Sequence, residues 1–241
     1  MSTFSYRFFN RHGGVSAQPF ATRNVSFGTG DSAGNIQRNR ALIKEEMGIE
    51  RLISGVQVHG GRVYVDSGAE PGDVDVDRCD ALITDVPGTG LMIQQADCQA
   101  VLFSDTAHGA IGAVHCGWRG SVANIIGATI EQMTSQYGTD PATLRADISP
   151  SLGPCCAEFV NHRTELPESF LRFQVKENYF DFWQISAAQL TAAGVSADGI
   201  HLPHTCTCCS DDYFSYRRAV RQSDGVCGRQ ASVICIRTQR V

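Results

Sequence analysis

Three short apolar runs of this 241-residue chain each end on a side chain that can bind a metal: Val56-Gln57-Val58-His59-Gly60, Gln95-Ala96-Asp97-Cys98-Gln99 and Ala113-Val114-His115-Cys116-Gly117. Imidazole and thiolate are donors that zinc favours, and three protein ligands plus an open fourth position is its catalytic arrangement. Runs of this kind, followed by glycine or another small residue, can bring side chains together at a mouth that stays open. The long gaps match no zinc finger. The same residues also serve as buried core side chains. Cys98 and His115 alone could instead form a thiolate–imidazole dyad for acyl transfer or deamidation without metal. His59 separates the two readings, because a dyad can spare it and a three-ligand site cannot. Asp97 is placed to support the site from behind, as residues outside the ligand set often do. A purely structural metal would need a fourth protein donor. Cys116 is the obvious candidate, but it neighbours His115 on a strand and is expected to point the other way.

Other patterns are weaker. The segment His201-Leu202-Pro203-His204-Thr205-Cys206-Thr207-Cys208-Cys209 offers a second His/Cys cluster, yet donors so close in sequence compete for one side of an ion. Reduced, partly buried thiols are the expectation there and at Cys155-Cys156. Gly30-Asp31-Ser32-Ala33-Gly34 has the letters of a nucleophile elbow, but Asp31 and Ser32 equally make a turn and a helix cap. Laccase chemistry with several coppers needs many imidazoles, usually in His-x-His pairs. The chain has 7 histidines and no such pair.

The elements that must position these residues follow from periodicity. Residues 5–9 and 23–27 are expected as short strands around a Gly13-Gly14 turn, and residues 35–48 as a helix ending on glycine. Residues 52–58 and 62–65 suggest a hairpin across Gly60-Gly61. Apolar strands are expected at 81–84, 91–94, 100–104, 110–114, 145–148 and 232–237. A helix over 120–137 would bury Val122, Ile125, Ile126, Ile130 and Met133 on one face. Helical patches lie near 165–175 and 185–193. This mixed order predicts an α/β class with more than one layer, and residues 1–241 are expected to form one domain.

Composition sets the remaining bounds. Hydrophobic residues at 42% and charged residues at 19% are ordinary for a globular protein. A net charge of −5 argues against nucleic acid as partner. No apolar run approaches a membrane span and no secretory signal is visible, so the 10 cysteines are expected to be reduced in a cytoplasmic protein. Lysine occurs only at positions 44 and 176, so arginine is the main basic residue.

The order of motifs resembles the YfiH-type family, once called laccase-domain or polyphenol-oxidase proteins and also described as purine nucleoside enzymes. The resemblance rests on Arg11-His12-Gly13-Gly14-Val15-Ser16, Asn39-Arg40, Gln57-Val58-His59-Gly60, Asp80-Ala81-Leu82-Ile83-Thr84 and Ala96-Asp97-Cys98. It continues through Val114-His115-Cys116-Gly117-Trp118-Arg119-Gly120, Gly153-Pro154-Cys155, Cys206-Thr207, Phe214-Ser215-Tyr216-Arg217-Arg218 and Gly228-Arg229-Gln230-Ala231. Cys156, Cys208 and Cys209 depart from the family pattern. The resemblance implies a layered α/β/β/α fold with mixed sheets and a zinc ion held by His59, Cys98 and His115. Copper is an alternative occupant of the same donors. It also implies phosphorolysis of adenosine, inosine, guanosine and methylthioadenosine, together with deamination of adenosine, by a monomer. The fold is similar to that of a cysteine–histidine deamidase toxin, which keeps the dyad open. Phosphorolysis needs an anion seat, for which Arg40, Arg119, Arg217 and Arg218 are the candidates because a guanidinium fork matches phosphate.

Overall fold

The computed structural model describes residues 3–237 as two mixed sheets packed face to face and covered by helices on both outer sides. One sheet runs β1 (Thr3–Phe8), β13 (Gln230–Arg237), β6 (Thr89–Gln95), β2 (Arg51–Gly55) and β4 (Val74–Val76). The other runs β12 (Ile200–His201), β9 (Arg145–Ile148), β7 (Gln99–Asp105), β8 (Ala110–Cys116), β5 (Ala81–Thr84) and β3 (Val63–Asp66). A small ribbon of β10 (Gln174–Lys176) and β11 (Tyr179–Phe180) stands apart.

Strand alternation sorts the core into layers. Ala100, Leu102, Ile111 and Ala113 face the first sheet, where they meet Ile53, Leu91, Ile93 and Ile234. Their neighbours Val101, Phe103, Ala110 and Val114 face outward onto α3 (Ile125–Tyr137) and α5 (Phe182–Ala192). On the far side, α1 (Ala33–Met47) lays Ile43 and Met47 over Leu52, Met92 and Val233. This is the α/β/β/α layering that the sequence resemblance implies.

Three expectations are corrected. The hairpin across Gly60-Gly61 does not form: β2 pairs with β4 and β6, whereas β3 pairs with β5 in the other sheet. The chain leaves β2 at Gly55 and crosses between layers because the Asp80 carboxylate gathers the backbone N–H groups of Val58, His59 and Gly60. The long helix is two helices, α2 (Trp118–Val122) and α3, divided at Asn124, whose φ of 53° is left-handed and whose side chain caps Gly127 N. Val122 is accordingly exposed. Residues 23–27 are no strand: Arg23, Asn24 and Val25 are buried in an irregular segment, followed by a 3-10 turn at Phe27–Thr29.

Two further helices flank the site: α4 (His162–Glu165), one turn long, and α6 (Tyr216–Gln222). Ser32 is the residue before α1, and Asp31 accepts from Ser32 N, Asn24 and Asn35. Asp31 thus organises a turn, and Ser32 occupies the position before the helix without a side-chain cap bond.

Candidate metal centre

His59, Cys98 and His115 converge where both sheets end, their donor atoms all within 4.8 Å of one another. Antiparallel pairing of β7 with β8 sets Ala100 against His115, which brings Cys98, one residue before β7, to the same edge. On β8, His115 points between the sheets. Cys116 points into the outer core, where its Sγ lies 3.3 Å from Ser121 Oγ. Burial pushes the Cys116 thiol up to about 12, which keeps it protonated. Cys116 lies in the outer core and outside the group formed by the other three side chains, as strand alternation leads one to expect. His59 arrives from the loop after β2 in a left-handed conformation, φ 59°, held by the Asp80 carboxylate through its own N–H.

The donors fit zinc. Tetrahedral Zn–S and Zn–N bonds of ~2.3 and ~2.05 Å place sulfur and nitrogen about 3.6 Å apart, and Cys98 Sγ lies 3.8 Å from His59 Nε2. The two imidazole rings meet edge to face with centroids 4.8 Å apart. His115 Nδ1 is 2.8 Å from Asp80 Oδ1, which leaves Nε2 as the donor facing its partners. Gly117 closes the cradle: a Cβ there would lie 2.9 Å from His59 Cδ2 and 3.1 Å from Cys98 Sγ.

Electrostatics prepare the sulfur. Burial alone pushes the Cys98 thiol up, but the charge and hydrogen bonds of His115 and His59 reverse this and bring it down to about 6. Burial conversely pushes the His115 imidazolium down, and the Cys98 thiolate and Asp80 carboxylate raise it to about 9. The two shifts run in the direction that favours the charged form of each group. Asp80 is thus the supporting carboxylate expected of Asp97. Asp97 instead accepts from Thr207 Oγ1 and Arg217 N, tying α6 and the 206–209 turn to the site's edge.

Cys98 stands between two cavities of about 370 and 380 Å³. Trp118, Leu152, Phe159, Phe182 and Arg217 line the first. Phe27, Arg40, Gln57, Gln95 and Arg229 line the second, together with His59 and His115. Of the four candidate anion-binding arginines, Arg40 and Arg217 reach these cavities. Arg40 is held by Asp75 and by Val25 O, and Arg217 by the carbonyls of Cys156 and Glu158. Arg119 is exposed and stacked on Trp118, with its guanidinium carbon 4.3 Å from the ring centroid. Arg218 serves as a clamp in this fold: its terminal nitrogens donate to the carbonyls of Thr207, Cys208, Ser210 and Tyr213. Arg229 was missed. It follows a glycine in the Gly228-Arg229-Gln230-Ala231 run, but only the fold shows that its strand entry opens beside His59. Among the described residues a second group also gathers: Cys155, Cys156, Cys206 and Cys209.

The chain matches, over residues 5–237, the family described as "multi-copper polyphenol oxidoreductase laccase". A protein named purine nucleoside phosphorylase from Bacteroides thetaiotaomicron is 33% identical over 90% of this chain and 87% of its own length. Another of that name from Streptomyces coelicolor is 34% identical over 95% and 94%. The crystal structure of the hypothetical protein YfiH from Bacillus licheniformis superposes with a TM-score of 0.88 at 25% identity, covering 97% of this chain and 93% of that one.

Proposed function

The chain belongs to the multi-copper polyphenol oxidoreductase laccase family, whose YfiH-type members it resembles throughout, and from that premise we propose that it is a zinc-dependent purine nucleoside phosphorylase that also deaminates adenosine. The observation that carries the reading is the placing of two imidazoles and a thiolate at the junction of two nucleoside-sized cavities. The relatives' shared name, purine nucleoside phosphorylase, supports the reaction class. Adenosine, inosine, guanosine and methylthioadenosine are the substrates proposed.

His59 Nε2, His115 Nε2 and Cys98 Sγ would hold the ion, and Asp80 fixes the His115 ring so that Nε2 stays directed at it. When bound, zinc supplies Lewis-acid activation of water or of a substrate atom. The rest falls to this chain's own groups. Trp118 and Phe159, set edge to face, offer aromatic surface for a purine. Arg40 and Arg229 offer guanidinium nitrogens to phosphate in the other cavity. Phosphorolysis breaks the glycosidic bond as a phosphate oxygen bonds to the sugar, so an anion seat and a base pocket on either side of one centre suit it. Multicopper oxidation is a poor fit, because only His59 and His115 of the described histidines share a cluster.

A second reading rests on a specific observation: Asp80, His115 and Cys98 form a carboxylate–imidazole–thiolate chain that can act as a nucleophilic relay without metal. One experiment separates the two. Wild-type protein given inosine and phosphate is expected to release hypoxanthine. His59→Ala is expected to lose zinc and at least ~100-fold in turnover while keeping its circular dichroism. Full turnover in metal-free His59→Ala would favour the dyad.

A further inference from the structure

Cys155 and Cys156 sit in a turn that opens at Gly153, and Cys206 and Cys209 sit in a second turn 50 residues later with Cys-x-x-Cys spacing. A parallel bridge from Ser151 to Cys206 and a bond from Thr207 N to Ser151 O lay the two turns side by side. All four sulfurs lie within 4.8 Å of one another. Cys209 Sγ is 3.6 Å from Cys155 Sγ and 3.5 Å from Cys156 Sγ. Sulfurs at the corners of a tetrahedral site with ~2.3 Å bonds are about 3.8 Å apart, so this spacing is that of ligands around one ion. It is too tight for an iron–sulfur cluster, whose irons and sulfides would hold the thiolates apart.

The surroundings suit a thiolate centre. Gly153 N donates to Cys206 Sγ at 3.2 Å, the kind of N–H···S bond that steadies a ligating sulfur. Arg217 Nη1 donates to Cys156 O, and Arg221 reaches toward Cys208 Sγ and Glu158 from the same side. These guanidinium groups offset the net charge of about −2 that four thiolates around a divalent ion would carry. The Arg218 clamp on the carbonyls of Thr207, Cys208 and Ser210 fixes the second turn. Cys208 belongs to the same turn but stays outside the group.

We propose that Cys155, Cys156, Cys206 and Cys209 form a second, structural site for a divalent zinc ion, which staples the 153–156 turn to the 206–209 turn. Four protein sulfurs close the coordination shell, so this site has no slot for substrate. Binding exchanges four thiol protons for one zinc ion, with no change of oxidation state. The staple holds the wall of the first cavity, since Leu152, Ala157, Glu158 and Arg217 line that cavity and flank the two turns. The inference is independent of the nucleoside reading, and a wild-type count of two includes one ion at the His59 centre.

The test is metal content of protein purified under reductant, zinc-loaded and dialysed. Wild type is expected to hold about two zinc ions per chain. Cys206→Ser/Cys209→Ser should hold about one, as should His59→Ala/Cys98→Ser, and Cys208→Ser should keep both. Should the first double variant fail to fold, cobalt(II) loaded into the His59→Ala/Cys98→Ser protein gives the same answer. A tetrahedral four-thiolate site shows intense sulfur-to-cobalt charge-transfer absorption. An unchanged zinc count in Cys206→Ser/Cys209→Ser overturns the proposal, as does a lack of that absorption in the cobalt-loaded protein.

Discussion

Asp80 does more at the site than any one of the three candidate donors. Its carboxylate, buried at 1% exposure, accepts from the N–H groups of Val58, His59 and Gly60 and from His115 Nδ1, so it sets the position of one candidate donor and the ring orientation of another. Asp80→Asn keeps the shape but loses the charge and one acceptor. Zinc affinity is expected to fall about 10- to 100-fold, measured by competition with a chromogenic chelator. The three candidate donors are readable as His and Cys residues that close apolar runs, although only His115 lies within a strand. Asp80 was not, because its partnership with His115 spans 35 residues and exists only through the pairing of β5 with β8, where His115 N also donates to Asp80 O. Register, once known, would have found it: Ala81 pairs with Val114, so Asp80 must face His115. Asp97 was favoured by its position next to Cys98, but its left-handed φ of 82° turns it toward Thr207 and Arg217.

Among elements, strands were the more legible. Residues 81–84 and 145–148 are read as they stand, and 91–94, 100–104, 110–114 and 232–237 fall inside observed strands, because short, largely apolar runs bounded by turns leave few alternatives. Pairing was less legible, since the Gly60-Gly61 segment has hairpin letters but serves as a crossover between sheets. The split of α2 from α3 was also hidden. Its apolar positions continue the helical period, and the break rests on Asn124 alone, which is among the few residues that tolerate left-handed φ and whose side chain then accepts from Gly127 N. Asn124→Ala removes the cap and strains that φ, and is expected to cost about 1–2 kcal/mol, read as a lower urea midpoint with unchanged zinc content.

Across the whole molecule, the two sheets are joined by apolar packing and by a few buried polar ties. Arg51 on β2 and Asp66 on β3 lie in different layers and form a two-pronged ion pair at 2.6 and 2.7 Å, with Asp66 at 1% side-chain exposure. Burial pushes the Asp66 carboxyl up, but Arg51, Gly68 N and Thr84 more than reverse this and hold it below its ordinary 3.8. A depressed carboxylate contributes stability that is complete at neutral pH and is lost as the pH falls below about 4. Asp66→Asn should therefore destabilise the protein at pH 7 by about 3 kcal/mol and flatten the acid limb of its stability curve. Urea unfolding across pH 3–7 checks both. The layer order itself was legible only through family resemblance, since periodicity yields strands and helices but not which strand joins which sheet.

The central claim is that three distant segments hold one ion and leave it open. Zinc-edge anomalous diffraction from crystals of the zinc-loaded protein tests it most directly. The account predicts a peak about 2.0–2.1 Å from His59 Nε2 and His115 Nε2 and about 2.3 Å from Cys98 Sγ, with no protein atom in the fourth position. A peak that lacks any one of those three donors, or one closed by a fourth side chain, would contradict it.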